Sequence, residues 1–243
     1  MNKTAIRALV TGGSGGIGAA IARRLGAMGY FVYVHGHRNT STAATVAGDI
    51  VTAGGEAAAV QFDLTDAAAT GAAVEQMLEH GPIQVLVNNA GIHDDAVFPG
   101  MSASQWHRVI DLSVNGFYNV TQPLMLPMIR TRWGRIISLS SVTALVGNRG
   151  QVNYAAAKGA LNAATKALSL EVASRGITVN AVAPGIIAAG MGDSAFDAAA
   201  IADLVPMKRA GTAEEVASLV GFLASGEAAY ISGQVISING GMI

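Results

Sequence analysis

The sequence contains no cysteine, and that absence excludes several kinds of chemistry at once. Disulfide bonds, thiolate catalysis and the common cysteine-containing zinc sites all need a residue that this 243-residue chain lacks. Charge is also scarce, because only 13% of the residues are charged and the formal net charge is −1. Such a balance provides no field for nucleic acid or for an anionic membrane surface, so we expect neither as a partner.

Long apolar runs are missing as well, although 51% of the residues are apolar. No uninterrupted run approaches the roughly 18 residues of a membrane-spanning helix. In the N-terminal segment MNKTAIRALVTGG, Arg7 interrupts a short apolar stretch that ends at glycines, so no signal-peptide core can be drawn. We therefore expect a cytoplasmic protein. The low supply of charge favours burial of further surface in an oligomer.

No repeat, low-complexity tract or Pro/Ser-rich linker marks a boundary, so we expect one domain over residues 1–243. Short β-branched runs alternate with longer amphipathic segments. The seven predicted strands cover residues 6–10, 31–35, 57–62, 85–89, 135–140, 177–183 and 234–238. This alternation predicts an α/β protein with a doubly wound parallel sheet and helices on both faces. Such sheets bind ligands at the carboxyl ends of their strands.

The first predicted strand runs directly into TGGSGGIG, residues 11–18, and then into the first predicted helix. Gly12, Gly16 and Gly18 permit tight turning, and backbone N–H groups converge with the positive end of the helix. That arrangement is typical of a pyrophosphate site. The spacing is Gly-x-x-x-Gly-x-Gly, for which an ordinary glycine-rich turn is the alternative, and the position after strand one favours a dinucleotide.

The end of the second strand, VHGHRNTS, indicates which dinucleotide binds. A carboxylate there would accept hydrogen bonds from the ribose of NAD, whereas an arginine accommodates the extra phosphate of NADP. No carboxylate is present, and Arg38 with His37 suits a phosphate, so we predict NADPH/NADP. A solvated polar loop is the alternative. His35 with His37 lacks a third ligand nearby, so we expect no metal site.

An ionisable phenol lies four residues before an amine in NRGQVNYAAAKG, residues 148–159. Tyr154 and Lys158 would share one helical face, and the ammonium would lower the pKa of the phenol from its ordinary value of about 10. Ser141 follows the RIISLS strand, so its hydroxyl and the phenol could donate to one carbonyl oxygen. A surface helix pair and a strand-ending hydroxyl are the simpler interpretations.

Five motifs occur in an order that resembles the short-chain dehydrogenase/reductase family over nearly the whole chain. They are the glycine loop, NNAG at residues 88–91, Asn115, Ser141, and Tyr154 with Lys158. The resemblance implies a seven-stranded Rossmann-type sheet and a catalytic tetrad of Asn115, Ser141, Tyr154 and Lys158. Tyr154 would be the general acid in reduction, and Ser141 would polarise the carbonyl. Lys158 would hold the nicotinamide ribose and lower the pKa of the phenol, and Asn115 would support a water relay.

The same resemblance implies a set of coenzyme contacts. They are Gly12, Ser14, Gly16, Ile17, Gly18, His37, Arg38, Asp63, Leu64, Asn89, Ala90, Gly91, Tyr154, Lys158, Pro184, Gly185 and Ile187. Within this set, Asp63 would contact the adenine, and Asn89 with Gly91 would shape the floor of the site. The backbone of Ile187 would meet the carboxamide.

Longer stretches are similar to the 3-oxoacyl-[acyl-carrier-protein] reductases of bacterial fatty-acid synthesis, which are NADPH-dependent tetramers. These stretches are NRGQVNYAAAKG, EVASRGITVNAVAPG, VPMKRAGTAEEVASLVGFLAS and ISGQVISINGGM. The similarity implies reduction of a 3-oxoacyl thioester on an acidic acyl carrier protein by a homotetramer. HRN, DDAVFP and PMKRAG resemble more closely the homologues of polyene and other specialised lipid pathways.

Two positions depart from the pattern of those reductases. Gly15 stands where a basic residue usually helps to bind the 2′-phosphate, which transfers that duty to Arg38. Ala189 stands where a threonine usually lies near the pyrophosphate. Ala189 belongs to a variable segment, residues 188–207, that we expect to form a mobile lid and to select the substrate.

Arg132 and Arg175 match the docking arginines of those reductases by their spacing from Tyr154, so we expect a basic patch near the mouth of the active site. Solubilising residues at element ends are the alternative. Two other functions stay open. One is turnover of another small ketone, sugar or steroid, and the other is a catalytically idle dinucleotide sensor. The sensor would not need the phenol of Tyr154.

Overall fold

The computed structural model describes residues 6–38, 40–188 and 197–243. Its strands are β1 (Arg7–Val10), β2 (Phe31–Gly36), β3 (Glu56–Gln61), β4 (Ile83–Asn88), β5 (Gly134–Leu139), β6 (Ile177–Pro184), β7 (Ile187–Ala188), β8 (Gly211–Thr212) and β9 (Val235–Ile238). Its α-helices are α1 (Gly16–Ala27), α2 (Thr40–Thr52), α3 (Ala67–Glu79), α4 (Ala103–Ile110), α5 (Gly116–Thr131), α6 (Thr143–Val146), α7 (Val152–Val172), α8 (Ala198–Leu204) and α9 (Ala213–Ala224). A π-helical turn, Asp111–Asn115, joins α4 to α5.

Seven parallel strands form one sheet in the order β3-β2-β1-β4-β5-β6-β9. Every predicted strand is confirmed, and the predicted ends differ from the observed ends by at most two residues. The order reverses direction between β1 and β4, which opens a crevice at the carboxyl ends of the strands. The short strands β7 and β8 pair with each other and were not predicted, because two residues show no periodicity.

Apolar side chains cover both faces of the sheet, as the α/β prediction requires. On one face, the buried Ile21 and Leu25 of α1 pack in the same cluster as Val216 of α9. The exposed Arg23 and Arg24 lie on the opposite side of α1. The second face has its own cluster, which includes Leu9, Leu86, Leu124, Ile136 and Val172. Among the described residues, no helix combines the length and apolar character needed to cross a bilayer.

Candidate active site

The loop between β1 and α1 packs tightly against the segment that follows β4. Gly12 has a φ of +61°, and a Cβ built on Gly18 would lie 2.2 Å from the Gly12 carbonyl oxygen. No described side chain caps α1, so the N–H groups of its first turn are available to an anion. Ser14, Gly16 and Ile17 belong to the same turn. This backbone geometry fits the pyrophosphate of a dinucleotide.

His35 holds the glycine loop in place through a hydrogen bond, a role that sequence reasoning missed. Its Nδ1 accepts a hydrogen bond from the Gly12 N–H at 3.1 Å, and its Nε2 lies 2.9 Å from the Phe62 carbonyl oxygen. These contacts require a neutral imidazole with its proton on Nε2. Burial lowers the pKa of His35, which agrees with that form. A histidine inside the otherwise apolar strand FVYVHG was the available signal.

The predicted adenosine contacts meet where β2 and β3 end. His37 Nε2 lies 3.5 Å from Asp63 Oδ2, and His37 and Arg38 are both exposed. The Thr65 backbone N–H lowers the pKa of Asp63, with smaller contributions from its hydroxyl, from His37 and from Arg38. A carboxylate and a cation therefore border one exposed surface. Leu64, next to Asp63, is buried.

The NNAG segment is tied to the glycine loop by two side chains. Asn89 Nδ2 donates to the carbonyl oxygens of Thr11 and Gly12 at 2.9 and 3.0 Å. The Thr11 hydroxyl accepts the N–H groups of Asn89 and Ala90 at 3.0 and 3.1 Å. Thr11, which sequence reasoning passed over, thus holds the ends of β1 and β4 in register. The segment therefore lies beside the glycine loop, and the coenzyme contacts of Asn89, Ala90 and Gly91 stay a prediction.

Ser141, Tyr154 and Lys158 come together at the carboxyl end of β5. The Lys158 Nζ lies 5.7 Å from the centre of the Tyr154 ring and donates to the Leu139 carbonyl oxygen at 2.7 Å. The Ser141 Oγ accepts the Thr143 N–H at 3.1 Å, which orients the hydroxyl. A Cβ built on Gly91 would lie only 3.0 Å from Lys158 Nζ, so the amine borders the same floor as the glycine loop.

Burial is the largest cause of the pKa shifts of both Tyr154 and Lys158. Burial raises the pKa of Tyr154, an interaction with Ser141 lowers it, and the charge of Asp95 raises it. The net shift of the Tyr154 pKa is therefore opposite to the predicted lowering, and Lys158 is not among its causes. The physical reason is the burial of the phenol itself, which disfavours the phenolate. Lys158 is likewise only 3% exposed, and burial lowers its pKa to about 8. The chain thus favours a protonated phenol.

The structure does not bring Asn115 into this group. Asn115 is exposed, and its Nδ2 donates to Asp111 Oδ1 at 2.8 Å within the π turn. Ser113, two residues earlier, is 3% exposed and faces inwards. A Cβ built on Gly91 would lie 3.8 Å from the Ser113 Oγ. Ser113 therefore takes the place next to Lys158 that the sequence assigned to Asn115.

The carboxyl end of β6 and the residues after it also border the crevice. Pro184 ends β6, and the Gly185 N–H donates to the Ile238 carbonyl oxygen at 2.9 Å. A Cβ at Gly185 would lie 2.8 Å from Asn239 Cβ, so this turn has no space for a side chain. Ile187 begins β7 and pairs with Gly211 of β8. Ala189 and much of the predicted lid fall within residues 189–196, which lie outside the described residues.

Arg132 and Arg175 lie together but at the opposite edge of the sheet. Arg132 Nη2 donates to the Ser174 carbonyl oxygen at 3.4 Å, and the two arginines precede β5 and β6. Ser141 follows the other end of β5, so a six-residue strand of roughly 20 Å separates the arginines from it. Their predicted position near the mouth of this chain's own site is therefore wrong. Within the described residues, no three His, Asp or Glu side chains are grouped as metal ligands.

Comparison with known proteins gives consistent matches. The family described as short chain dehydrogenase matches residues 7–200. A 3-oxoacyl-[acyl-carrier-protein] reductase from Aggregatibacter actinomycetemcomitans is 43% identical over 236 residues, which cover 96% of this chain and 98% of the relative. Nodulation protein G from Rhizobium sp. (strain N33) is 44% identical over 243 residues, 98% of this chain and 97% of the relative. A 3-oxoacyl-[acyl-carrier-protein] reductase from Synechocystis sp. is 43% identical over 242 residues, 99% of this chain and 98% of the relative.

Proposed function

The chain belongs to the short-chain dehydrogenase family, and on that premise we propose that it reduces a 3-oxoacyl thioester to the 3-hydroxyacyl thioester with NADPH. Members of this family are oxidoreductases that use a nicotinamide dinucleotide. The observation that carries the proposal is the convergence of Ser141, Tyr154 and Lys158 on the floor formed by Gly91. The names of its relatives favour an acyl group on a carrier protein, in fatty-acid or polyene-type biosynthesis.

In this proposal each side chain has one task. A nicotinamide dinucleotide held in this crevice would supply the hydride for the carbonyl carbon. Tyr154 donates its proton to the carbonyl oxygen, and its phenol is protonated at neutral pH because its pKa is raised above the ordinary value of about 10 rather than lowered towards neutrality. Ser141 donates a second hydrogen bond to the same oxygen. Lys158 would hold the ribose hydroxyls of the coenzyme through the amine that lies beside Gly91.

The choice of NADPH over NADH rests on the surface where β2 ends. Arg38 is exposed there, and its charge is opposite to that of a 2′-phosphate. The loop TGGSGGIG contains no cationic residue, and a Cβ built on Gly15 would meet no atom within 4 Å, so the space at this position is open. We expect Arg38→Glu to raise the KM for NADPH at least tenfold and to change the KM for NADH little. A wild type that prefers NADH in initial-rate assays would refute the assignment.

The proposed partner is an acidic acyl carrier protein, and the proposed assembly is a homotetramer. Arg132 and Arg175 form an exposed cationic pair far from their own Ser141. A docking role for this pair is therefore directed to the site of a neighbouring copy. Charge reversal at either arginine should weaken turnover of carrier-linked substrate while sparing a small soluble thioester. An equal loss with both substrates would count against docking.

The decisive experiment follows NADPH absorbance during reduction of an acetoacetyl thioester. Tyr154→Phe removes only the phenolic hydroxyl, so we expect kcat to fall at least a hundredfold with the KM for NADPH nearly unchanged. Tyr230→Phe is the matched control, because Tyr230 is fully exposed. If Tyr154→Phe retained wild-type turnover, the site would not be the reductase site. Lack of turnover in the wild type would favour another carbonyl substrate or a sensor.

A further inference from the structure

Gly12 is held on both sides by partners from different strands. Its N–H donates to His35 Nδ1 of β2 at 3.1 Å, and its carbonyl oxygen accepts a hydrogen bond from Asn89 Nδ2 at 3.0 Å. The next N–H of the loop, that of Gly13, donates to the His35 carbonyl oxygen at 2.8 Å. A Cβ built on Gly13 would lie 3.0 Å from Val34 Cγ1, so the loop packs directly against β2. His35 therefore fixes two consecutive residues of the glycine loop.

The imidazole of His35 is buried, and both of its ring nitrogens are engaged. The residue is 2% exposed, its ring centre lies 4.2 Å from that of Phe62, and its Nε2 lies 2.9 Å from the Phe62 carbonyl oxygen. A carbonyl oxygen only accepts, so Nε2 carries the proton and Nδ1 accepts the Gly12 N–H. A second proton could be added only at Nδ1, where it would face that N–H. Two buried donors would then oppose each other, and the hydrogen bond would be lost.

Two ionisable side chains act on His35 through their charge. His37, at the end of the same strand, disfavours a second positive charge, whereas the Asp63 carboxylate favours one. Burial is the larger effect and lowers the pKa of His35. Tyr33, two residues earlier, is a buried phenol that donates to the Met77 carbonyl oxygen at 3.5 Å. The other charged side chains of the surrounding strands and helices are exposed or lie at the amino ends of their strands: Arg7, Arg23, Arg24, Arg38, Asp49, Glu56, Asp66, Glu75, Glu79 and Arg130.

We propose that His35 is a positioning residue that couples coenzyme binding to protons. While the imidazole is neutral, Gly12 is held against β2 and the N–H groups at the start of α1 are arranged for a pyrophosphate. When the imidazole is protonated, the loop has to move away from β2, and this arrangement is lost. Protons and coenzyme therefore compete, and binding of the coenzyme expels the proton from His35. This coupling rests on the dinucleotide of the proposed function, whereas it does not depend on the substrate.

The affinity for NADP, measured by isothermal titration calorimetry at pH 7.5 and pH 5.0, tests the coupling without turnover. The 2′-phosphate and His37 also titrate in this range, so the wild type is compared with His35→Asn, which retains both. The amide oxygen of His35→Asn accepts the Gly12 N–H but does not titrate. Over this range we expect the Kd of the wild type to rise at least about threefold more than that of His35→Asn. His80→Asn, at an exposed position, is the control and should behave as the wild type.

The attraction of an imidazolium for a phosphate would act in the opposite direction, so the sign of the pH effect is decisive. Equal pH dependence of the wild type and His35→Asn, or a wild-type affinity that improves in acid relative to this variant, would overturn the proposal. Calorimetry in two buffers of different ionisation heat should show that the wild type releases up to about one proton more per NADP bound than His35→Asn does. Equal proton release would also overturn it.

A second substitution tests the hydrogen bond itself. His35→Leu removes the acceptor of the Gly12 N–H, so we expect its Kd for NADP at pH 7.5 to be at least about tenfold above that of the wild type. His35→Asn should stay within about threefold of the wild type at this pH, because it keeps an acceptor. Circular dichroism verifies folding, and if His35→Leu does not fold, the comparison with His35→Asn decides alone. A wild type that binds neither NADP nor NAD would refute the proposed function and this coupling with it.

Discussion

At the scale of single residues, Lys158 is an ionisable amine that is almost entirely buried. It is 3% exposed, and burial lowers its pKa from 10.5 to about 8. The unfolded chain therefore binds more protons than the folded chain between about pH 8 and 10.5. The free energy of unfolding must rise with pH across that window. Below pH 8 the charged lysine opposes folding, so catalysis and stability make opposite demands on this position.

We accordingly expect Lys158→Met to abolish activity and to stabilise the fold. The shift of about 2.5 pH units corresponds to roughly 3 kcal/mol, from which the lost hydrogen bond to Leu139 subtracts. The free energy of unfolding at pH 7 should rise by about 1–2 kcal/mol in urea titrations. Lys166→Met, at an exposed position of the same helix, should change it by less than about 0.5 kcal/mol. A destabilised Lys158→Met variant would contradict this account.

His35 makes the free energy of unfolding depend on pH in the acidic range. Its folded pKa lies below the ordinary 6.5, so the unfolded chain takes up the proton first as pH falls through 6.5. We expect the free energy of unfolding to fall by up to about 1.4 kcal/mol per pH unit below that value. His35→Gln should remove this slope, measured by urea denaturation from pH 7 to 5. The exposed His80→Gln is the control and should keep it.

At the scale of elements, the π turn decides which side chain of residues 111–115 reaches the site. A π turn takes more residues per turn than an α-helix, so the residues after it are rotated relative to a regular helix. Ser113 is therefore buried next to Gly91, while Asn115 is exposed and bonded to Asp111. An apolar pattern read with a period of 3.6 does not detect such a turn. Asn115 was assigned from the order of the family motifs, and that order does not specify which residue of the turn faces Gly91.

The close packing of α1 against α2 is a second feature that belongs to the scale of elements. A Cβ built on Gly26 of α1 would lie 2.5 Å from the Ile50 Cγ2 of α2, and Ile50 is buried. Gly26→Ala should therefore lower the free energy of unfolding by about 1–3 kcal/mol. A Cβ at Gly48 of α2 would meet no atom within 4 Å, so Gly48→Ala should raise it by about 0.5–1 kcal/mol. Equal effects of the two substitutions in urea titrations would contradict this packing.

At the scale of the whole molecule, the exposed sides of α5 and α7 are unusually apolar. Tyr118 and Leu126 of α5 are each 64% exposed, and Leu170 of α7 is 85% exposed. The exposed positions of α7 also include Ala156, Ala163 and Ala167, which carry no charge. Several exposed apolar side chains on a helix are typical of a protein–protein interface. It supports the proposed homotetramer.

We expect the wild-type protein to be a tetramer by light scattering coupled to size-exclusion chromatography. Leu126→Glu and Leu170→Glu place charges on this surface and should yield smaller species, because a buried unpaired charge opposes association. Val51→Glu is the control, since Val51 is 54% exposed on α2. A monomeric wild type, or tetramers with both Leu variants, would exclude this surface as the interface.

The expectation of a single domain over residues 1–243 stays a prediction at this scale. One sheet supports both apolar clusters of the described residues. A single cooperative unfolding transition, coincident by fluorescence and circular dichroism, would agree with one domain.

The sequence by itself determined the seven strands, the glycine loop and the shared face of Tyr154 and Lys158. Each depends on short-range properties of the chain: buried strands are continuous apolar runs, glycine is required at left-handed positions, and residues four apart meet on a helix. Order along the chain then placed Ser141 near that pair, because parallel strands end at one edge. These features do not depend on details of packing.

Only the tertiary structure decided the electrostatics and the direction of several side chains. It set the raised pKa of Tyr154, the support of Gly12 by His35, and the place of Ser113 beside Lys158. It also placed Arg132 and Arg175 at the edge of the sheet away from Ser141. The physical reason is that desolvation, hydrogen-bond partners and strand ends depend on residues distant in the chain. No local pattern of the sequence encodes those distances.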